Sequence, residues 1–301
     1  MAFRTLEICN PAEIHVKRGQ LEITNENGLI RIPLEDLATI ICSGANIRMS
    51  TMAQAQITTA GIFLMIIDEK YHPACFVTPV QSNVRQSLVM RNQIAMTPEE
   101  KAVLWRKLII RKIENQSRAL AILGKEGAEK VLRYTDEISE ADIDACEANA
   151  AREYFYYLHP CLNRRTNDPV NSCLNYGYAV LRNAIIRAVA LAGFLPAIGI
   201  HHDNYLNPFN LADDLIEPWR AMVDVIAIQD PGTSNVLNAK KRRELAAVLH
   251  NACLLNGAKV PVLTGIETMV NSIRNRIVSN GSGDIQLPIL LPIEVIDAIK
   301  E

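Results

Sequence analysis

His201 and His202 stand side by side in the chain, and Asp213, Asp214 and Glu217 follow soon after. The segment from Leu195 to Arg220 reads LPAIGIHHDNYLNPFNLADDLIEPWR. Imidazole beside carboxylate is a donor set for a divalent cation. A His with two carboxylates suits Mg²⁺ or Mn²⁺, where oxygen donors dominate, and Mn²⁺ tolerates imidazole better. Asp214 and Glu217 are three apart and share a face if the segment is helical, whereas Asp213 points elsewhere. If the His loop folds back over that face, an imidazole and one or two carboxylates converge. The plainer reading has Asp at a helix start complementing the macrodipole, and a loop His that is simply hydrogen-bonded.

Two further segments carry polar groups at suggestive spacing. ACEANAAREYFYYL places Glu147 in a helix whose Ala148, Ala150 and Ala151 permit close helix packing, with Arg152, Tyr154, Phe155, Tyr156 and Tyr157 beyond. Read alone, Glu147 is an ordinary solvent-facing helix residue and the aromatics are core. LNRRTNDPVNSCLNYGYAVLRNAIIR opens on Asn167-Asp168-Pro169, a turn and helix start. Asn171, Asn175 and Tyr178 follow three or four apart. Polar residues on an otherwise apolar helix point to a buried hydrogen-bond network, either structural or lining a site. Arg164 and Arg165 are either phosphate anchors or exposed side chains.

These residues need elements to hold them. The first 80 or so positions read as β. Residues 21–24 and 29–32 flank Asn25-Glu26-Asn27-Gly28, a hairpin signal. The apolar runs 38–42 and 62–67 fit strands buried on both faces, residues 51–59 a short helix ended by Gly61, and 76–78 a last strand. From residue 84 the spacing turns helical. Thr97-Pro98-Glu99-Glu100 carries a Thr cap, Pro at the first helical position and Glu at the capping-box position. Further helices are expected over 141–158, 169–192, 211–228, 240–255, 265–278 and 292–300. The predicted organisation is α+β: residues 1–80 form an N-terminal β-rich domain, and residues 81–301 a mainly helical domain.

Composition narrows the function classes. The chain has 301 residues, 49% hydrophobic and 21% charged, which is globular and excludes wholesale disorder. Net charge is −2, so a basic coat for nucleic acid is absent. A local stripe can still do that work. Arg85, Arg91, Lys101, Arg106, Lys107, Arg111, Lys112 and Arg118 fall in one stretch, and Lys240, Lys241, Arg242 and Arg243 form a block. Singly they are solvated helix faces; grouped, they are candidates for phosphate contacts. The seven Cys are scattered without a CxxC, which argues against a zinc module and for free thiols in a reducing cytoplasm. No signal-peptide h-region or membrane-spanning run is evident, so a cytoplasmic protein is expected.

The ordered set of motifs resembles a known family. A β-rich start is followed by E-A-N-A-A-R-x-Y-F, then N-D-P-V-N-x-x-L-N-Y-G-Y-A-x-L-R, then P-A-I-G-I-H-H and N-L-A-D-D-L-I-E-P-W-R. This is similar, over essentially the whole chain, to the CRISPR-associated adaptation integrase, the larger subunit of the spacer-acquisition complex. The phrasing most resembles the type II branch. The resemblance implies a metal-dependent DNA endonuclease and integrase, with a β-sandwich-like N-terminal domain and a helical C-terminal catalytic domain. It implies Mg²⁺ or Mn²⁺ held by Glu147 of the E-A-N-A-A-R motif, His202 at the fourth position of G-x-x-H, and Glu217 at the end of D-L-x-E. Asp214 contributes near the metal in some branches, and a one-residue shift of the loop would exchange His201 for His202. Glu147-Ala148 stands where the family usually has Glu-Gly.

The implied partners are double-stranded and branched DNA, a second copy of the chain through the N-terminal domains, and a small ferredoxin-like adaptation subunit that two such homodimers bridge into a heterohexamer. Other type II CRISPR proteins are possible partners; no membrane is implied. The implied chemistry is attack of a DNA 3′-hydroxyl on a phosphodiester at a repeat end, with Arg220 either reaching the same phosphate or bracing its helix.

Overall fold

A computed structural model describes residues 4–67, 73–77, 85–138, 143–160, 166, 168–232, 234–279 and 281–292. The chain divides into two compact units, Met1–Gln86 and Ser87–Glu301.

The first unit is built from strands β1 (Arg4–Ile8), β2 (Ala12–Lys17), β3 (Gln20–Asn25), β4 (Gly28–Pro33), β5 (Leu37–Cys42), β6 (Ile47–Met49), β7 (Phe63–Ile67) and β8 (Pro73–Val77), with helix α1 (Thr51–Thr59) before β7. Two four-stranded sheets form, in the orders β1-β5-β7-β8 and β4-β3-β2-β6. The expected hairpin is β3–β4, which pairs Asn25 with Gly28 across the turn. Both apolar runs are central strands of the first sheet, parallel to each other, with Ile40 beside Leu64. Burial on both faces accounts for the apolar character of β5 and of Phe63–Met65 in β7, whereas Ile66 is exposed. Ile14, Leu21 and Ile23 of one sheet, Leu37, Ile40 and Leu64 of the other, and Ile57 of α1 share one core. Strands β1, β2 and β6 are not among the expected ones, although Ala12-Glu13-Ile14-His15-Val16-Lys17 of β2 alternates apolar and polar residues as a half-buried strand does.

The second unit is mainly helical. It contains α2 (Gln86–Ala95), α3 (Pro98–Ile122), α4 (Ala128–Glu137), α5 (Ile143–Leu158), α6 (Pro169–Ala192), α7 (Asn210–Leu215), α8 (Arg220–Gln229), α9 (Ala239–Ala246) and α10 (Val262–Val278). A small sheet of β9 (Ala252–Leu255), β10 (Ala258–Pro261) and β11 (Ile289–Leu290) completes it. The 25-residue α3 is the spine; α4, α5, α8 and the turn before α8 pack along it. It starts on the expected capping box, with both Thr97 and Glu100 side chains engaged. The N-cap of α6 is Asp168, which accepts from the Asn171 N–H at 2.9 Å.

Two expected helices are not continuous. The 211–228 segment breaks into α7, a 3₁₀ turn over Glu217–Trp219 and α8, because Pro218 has no N–H to extend the ladder. The 240–255 segment leaves the helix after Ala246 and becomes β9. Asn256-Gly257, both at positive φ, then turns the chain into β10, a hairpin signal overlooked in favour of helical spacing. The 292–300 helix falls on residues outside those described, apart from Pro292. Among the described residues no helix is long and apolar enough to cross a membrane.

Candidate metal centre

The G-I-H-H loop is built from its entrance. Gln93 of α2 reaches the turn ahead of it, donating to the carbonyls of Leu195 (3.0 Å) and Ile198 (2.8 Å) and accepting from Leu195 N–H (2.8 Å). The chain then passes so close to α7 that only glycine fits at 199. A Cβ there would lie 2.2 Å from the His202 carbonyl and 2.7 Å from Asp214 Oδ2. Asp214, fully buried, collects this loop: it accepts from the N–H groups of Ile200 (2.6 Å), His201 (3.0 Å) and His202 (3.0 Å). Its Oδ1 also meets His202 Nδ1 at 2.6 Å. With the proton on Nδ1, that contact fixes the tautomer in which Nε2 carries the free lone pair. The outer loop is tied down in turn, since Asn210 donates to the carbonyls of Ala197 (3.0 Å) and Asn204 (2.9 Å).

The two His differ. His201 stacks flat on Trp105 of α3, with centroids 4.2 Å apart, and its Nε2 faces Asp144 at 3.4 Å. His202 meets the same indole edge-on at 5.9 Å and has its ring anchored by Asp214.

Glu147 and Glu217 come together around a third residue. Lys112 of α3 places its ammonium 2.5 Å from Glu147 Oε1 and 2.5 Å from Glu217 Oε2. The Lys112 and Glu217 side chains are 10% and 6% exposed, and that of Glu147 20%. Three residues beyond Lys112, on the same face of α3, Asn115 donates to the Pro218 carbonyl at 2.8 Å and to the Pro288 carbonyl at 3.0 Å. One face of α3 therefore holds both the carboxylate of Glu217 and the backbone of its turn. Trp219 locks the same turn from behind, fully buried with its indole N–H on Met269 Sδ of α10 at 3.3 Å.

Charge follows from this packing. Burial alone would raise the Glu217 carboxyl, but Lys112 and Arg220 outweigh it and hold it down at about 2. Burial likewise disfavours the Lys112 ammonium, yet Glu217 and Glu147 lift its pKa above the usual 10.5. Arg220 Nε bonds Glu217 Oε1 at 2.8 Å, and its guanidinium lies over the Tyr178 ring. Tyr178 and Tyr154 both donate to the buried Asp224 carboxylate, Tyr154 at 2.8 Å.

The structure thus brings Glu147 and Glu217 to one point, through Lys112, and gathers His202 with Asp214. Among the described residues no group of three or more His, Cys, Asp or Glu lies close enough together to hold a metal ion. The donor set still fits a hard divalent cation in two respects. The carboxylates converge on a single positive charge, and buried Glu217 Oε2 meets that charge as an ion pair, with no well-directed hydrogen bond. Arg220 braces its own turn.

Lys112 belongs to the basic stretch expected to contact phosphate, but it is buried between the two carboxylates instead. Others of that group are neutralised internally, Arg111 by Glu114 (3.1 Å) and Lys241 by Glu244 (3.2 Å). Lys112, Asn115 and Trp105 were missed as site residues. The one available signal was their seven- and three-residue spacing along α3. Arg164 and Arg165 lie outside the described residues.

The model for the CRISPR associated protein Cas1 family matches residues 7–252. A CRISPR-associated endonuclease Cas1 from Neisseria meningitidis serogroup C (strain 8013) is 32% identical over 299 residues, covering 98% of each chain. Among solved structures, a casposase bound to integration product aligns with a TM-score of 0.74 at 18% identity, covering 93% of this chain and 91% of its own. A chain of a partial Cas6-RT-Cas1–Cas2 complex aligns with a TM-score of 0.63 at 18% identity, covering 92% and 96%. At those identities the structural likeness speaks for the fold, a mixed α+β architecture with N-terminal sheets and a mainly helical remainder.

Proposed function

The chain belongs to the Cas1 family of CRISPR-associated proteins, and from that premise we propose that it is a metal-dependent DNA endonuclease and integrase. It inserts DNA fragments into a CRISPR array, in a type II system by the phrasing of its motifs. The observation that carries the site assignment is the convergence of Glu147 and Glu217, from separate helices, on one buried cationic position. The endonuclease name of the Neisseria relative and the integration product bound by the casposase support the chemistry.

Glu147, Glu217 and His202 would hold Mg²⁺ or Mn²⁺, which supplies Lewis-acid polarisation of the phosphodiester when bound. The two carboxylates provide most of the ligand charge. His202 offers Nε2 in an orientation set by Asp214. His201 is a packing residue, stacked on Trp105. Arg220 aims the Glu217 carboxylate and, after Lys112, helps to keep it ionised. In strand transfer the 3′-hydroxyl of the incoming fragment gives up its proton as its oxygen bonds to phosphorus, the bond to the target strand's 3′-oxygen breaks, and that oxygen takes up a proton. With water as nucleophile the same displacement is cleavage. The working assembly is a homodimer that combines with the small ferredoxin-like subunit into a heterohexamer on DNA; the Cas1–Cas2 naming of a structural neighbour supports that partner.

The test is a strand-transfer assay with the small subunit, a labelled duplex bearing free 3′-hydroxyls, and a supercoiled plasmid carrying the repeat. Mn²⁺-dependent joining at the repeat ends, lost in Glu147→Gln and His202→Ala, is expected. Nicking without joining would reduce the reading to a nuclease. Intact DNA binding with neither product would overturn it.

A further inference from the structure

We propose that Lys112 is a built-in counter-cation: its ammonium holds the Glu147–Glu217 pair assembled until a divalent cation arrives, and is then displaced. The inference rests on the reading that these two carboxylates are metal ligands.

Glu147 and Glu217 come from different elements, α5 and the 3₁₀ turn before α8, and both carboxylates lie within 2.5 Å of one nitrogen. Two carboxylates this close, one of them buried, repel each other unless something positive lies between them. Among the described residues Arg220 pairs with Glu217 alone, through Nε on Oε1. Lys112 serves both from inside the helix spine. Its side chain is 10% exposed, so a buried charge is being held there at a desolvation cost that only the carboxylates offset.

The ammonium lies between the two carboxylates that would hold a shared metal. Lys112 reaches Glu217 through Oε2, the buried oxygen with no well-directed hydrogen bond, leaving Oε1 to Arg220. A flexible four-carbon stem can carry its charge elsewhere, whereas the guanidinium fork of an Arg could not retreat so simply. Lys112 therefore keeps the site pre-assembled and, by competing for it, weakens metal affinity.

The test reads binding rather than turnover. Mn²⁺ affinity of the full-length protein is measured by electron paramagnetic resonance for wild type, Lys112→Met and Glu147→Gln. In parallel, amine labelling of Lys112 in the wild type is followed by mass spectrometry with and without Mn²⁺. The expected results are roughly tenfold or more tighter Mn²⁺ binding in Lys112→Met, and Lys112 labelled markedly faster once Mn²⁺ is added. Unchanged or weaker affinity in Lys112→Met, or Lys112 equally protected with metal bound, overturns the proposal. Should Lys112→Met not fold, the wild-type labelling decides alone. Loss of Mn²⁺ binding in Glu147→Gln keeps the two readings separable: if it holds while Lys112 shows no competition, only the counter-cation falls. If Glu147→Gln binds Mn²⁺ as wild type does, the ligand assignment falls and the counter-cation with it.

Discussion

Asp214 and His202 meet at 2.6 Å, ring Nδ1 to carboxylate Oδ1, and the same carboxylate accepts three consecutive backbone N–H groups of the loop that carries the ring. The side chain and the backbone of the G-I-H-H motif are thus oriented by a single buried acid. This explains how an exposed loop can present an imidazole in a fixed direction.

Asp214→Asn keeps the shape and replaces one acceptor oxygen by a donor that must face backbone N–H groups. Mn²⁺ affinity is expected to fall about 10–100-fold, the usual effect of removing a group that orients a ligand. Stability should drop by about 1–3 kcal/mol for the buried donor left without a partner. Metal titration and urea unfolding measure the two effects.

Gly199→Ala puts a methyl group into the His202 carbonyl and the Asp214 carboxylate. The neighbours are backbone and a four-bonded acid, so neither can yield cheaply. A loss of about 1–3 kcal/mol is expected in urea unfolding. Mn²⁺ affinity should weaken in the same variant.

Tyr154 is fully buried with its hydroxyl on Asp224. Burial first, then the Asp224 charge, push its phenol well above 10. A phenol with a raised folded value favours the native state up to its unfolded pKa. Its contribution is lost as pH climbs from about 10 towards the folded value. Stability against urea should therefore decline above pH 10 in the wild type and less steeply in Tyr154→Phe. At neutral pH Tyr154→Phe should cost about 1–2 kcal/mol.

The thiols should separate by burial. Burial pushes Cys42 up to about 11 and Cys253 up to about 12. Cys9 and Cys75 are exposed. Since the thiolate is the reactive form, Cys9 and Cys75 should be alkylated at pH 8 well before Cys42 and Cys253. Peptide mapping of a timed iodoacetamide reaction checks the order. Equal rates would contradict the described packing.

Local signals in the sequence accounted for much of this. The Asn25–Gly28 turn, the Thr97 capping box, the helix start at Asp168-Pro169 and the apolar runs of β5 and β7 are written in neighbouring residues, and the structure contains them. Elements that depend on distant partners were not legible. The residues of β9 have helical spacing, yet they pair with β10 across the local Asn256-Gly257 turn and, on the other side, with the distant β11. Glu147, His202 and Glu217 are the ligands that the ordered motifs imply. The contact of Lys112 with both carboxylates was not legible, because a Lys in a basic helical stretch looks like a solvated face until the two carboxylates are placed against it. Asn115 is similar: its three bonds go to Pro218, Pro288 and Leu290, far along the chain.

The most direct test of the metal assignment is a crystal structure of the protein grown with Mn²⁺, with anomalous diffraction collected at the manganese edge. The account predicts one strong anomalous peak bonded to carboxylate oxygens of Glu147 and Glu217 and to Nε2 of His202. A peak held by other residues, or no peak at this position with Mn²⁺ in excess, would contradict it.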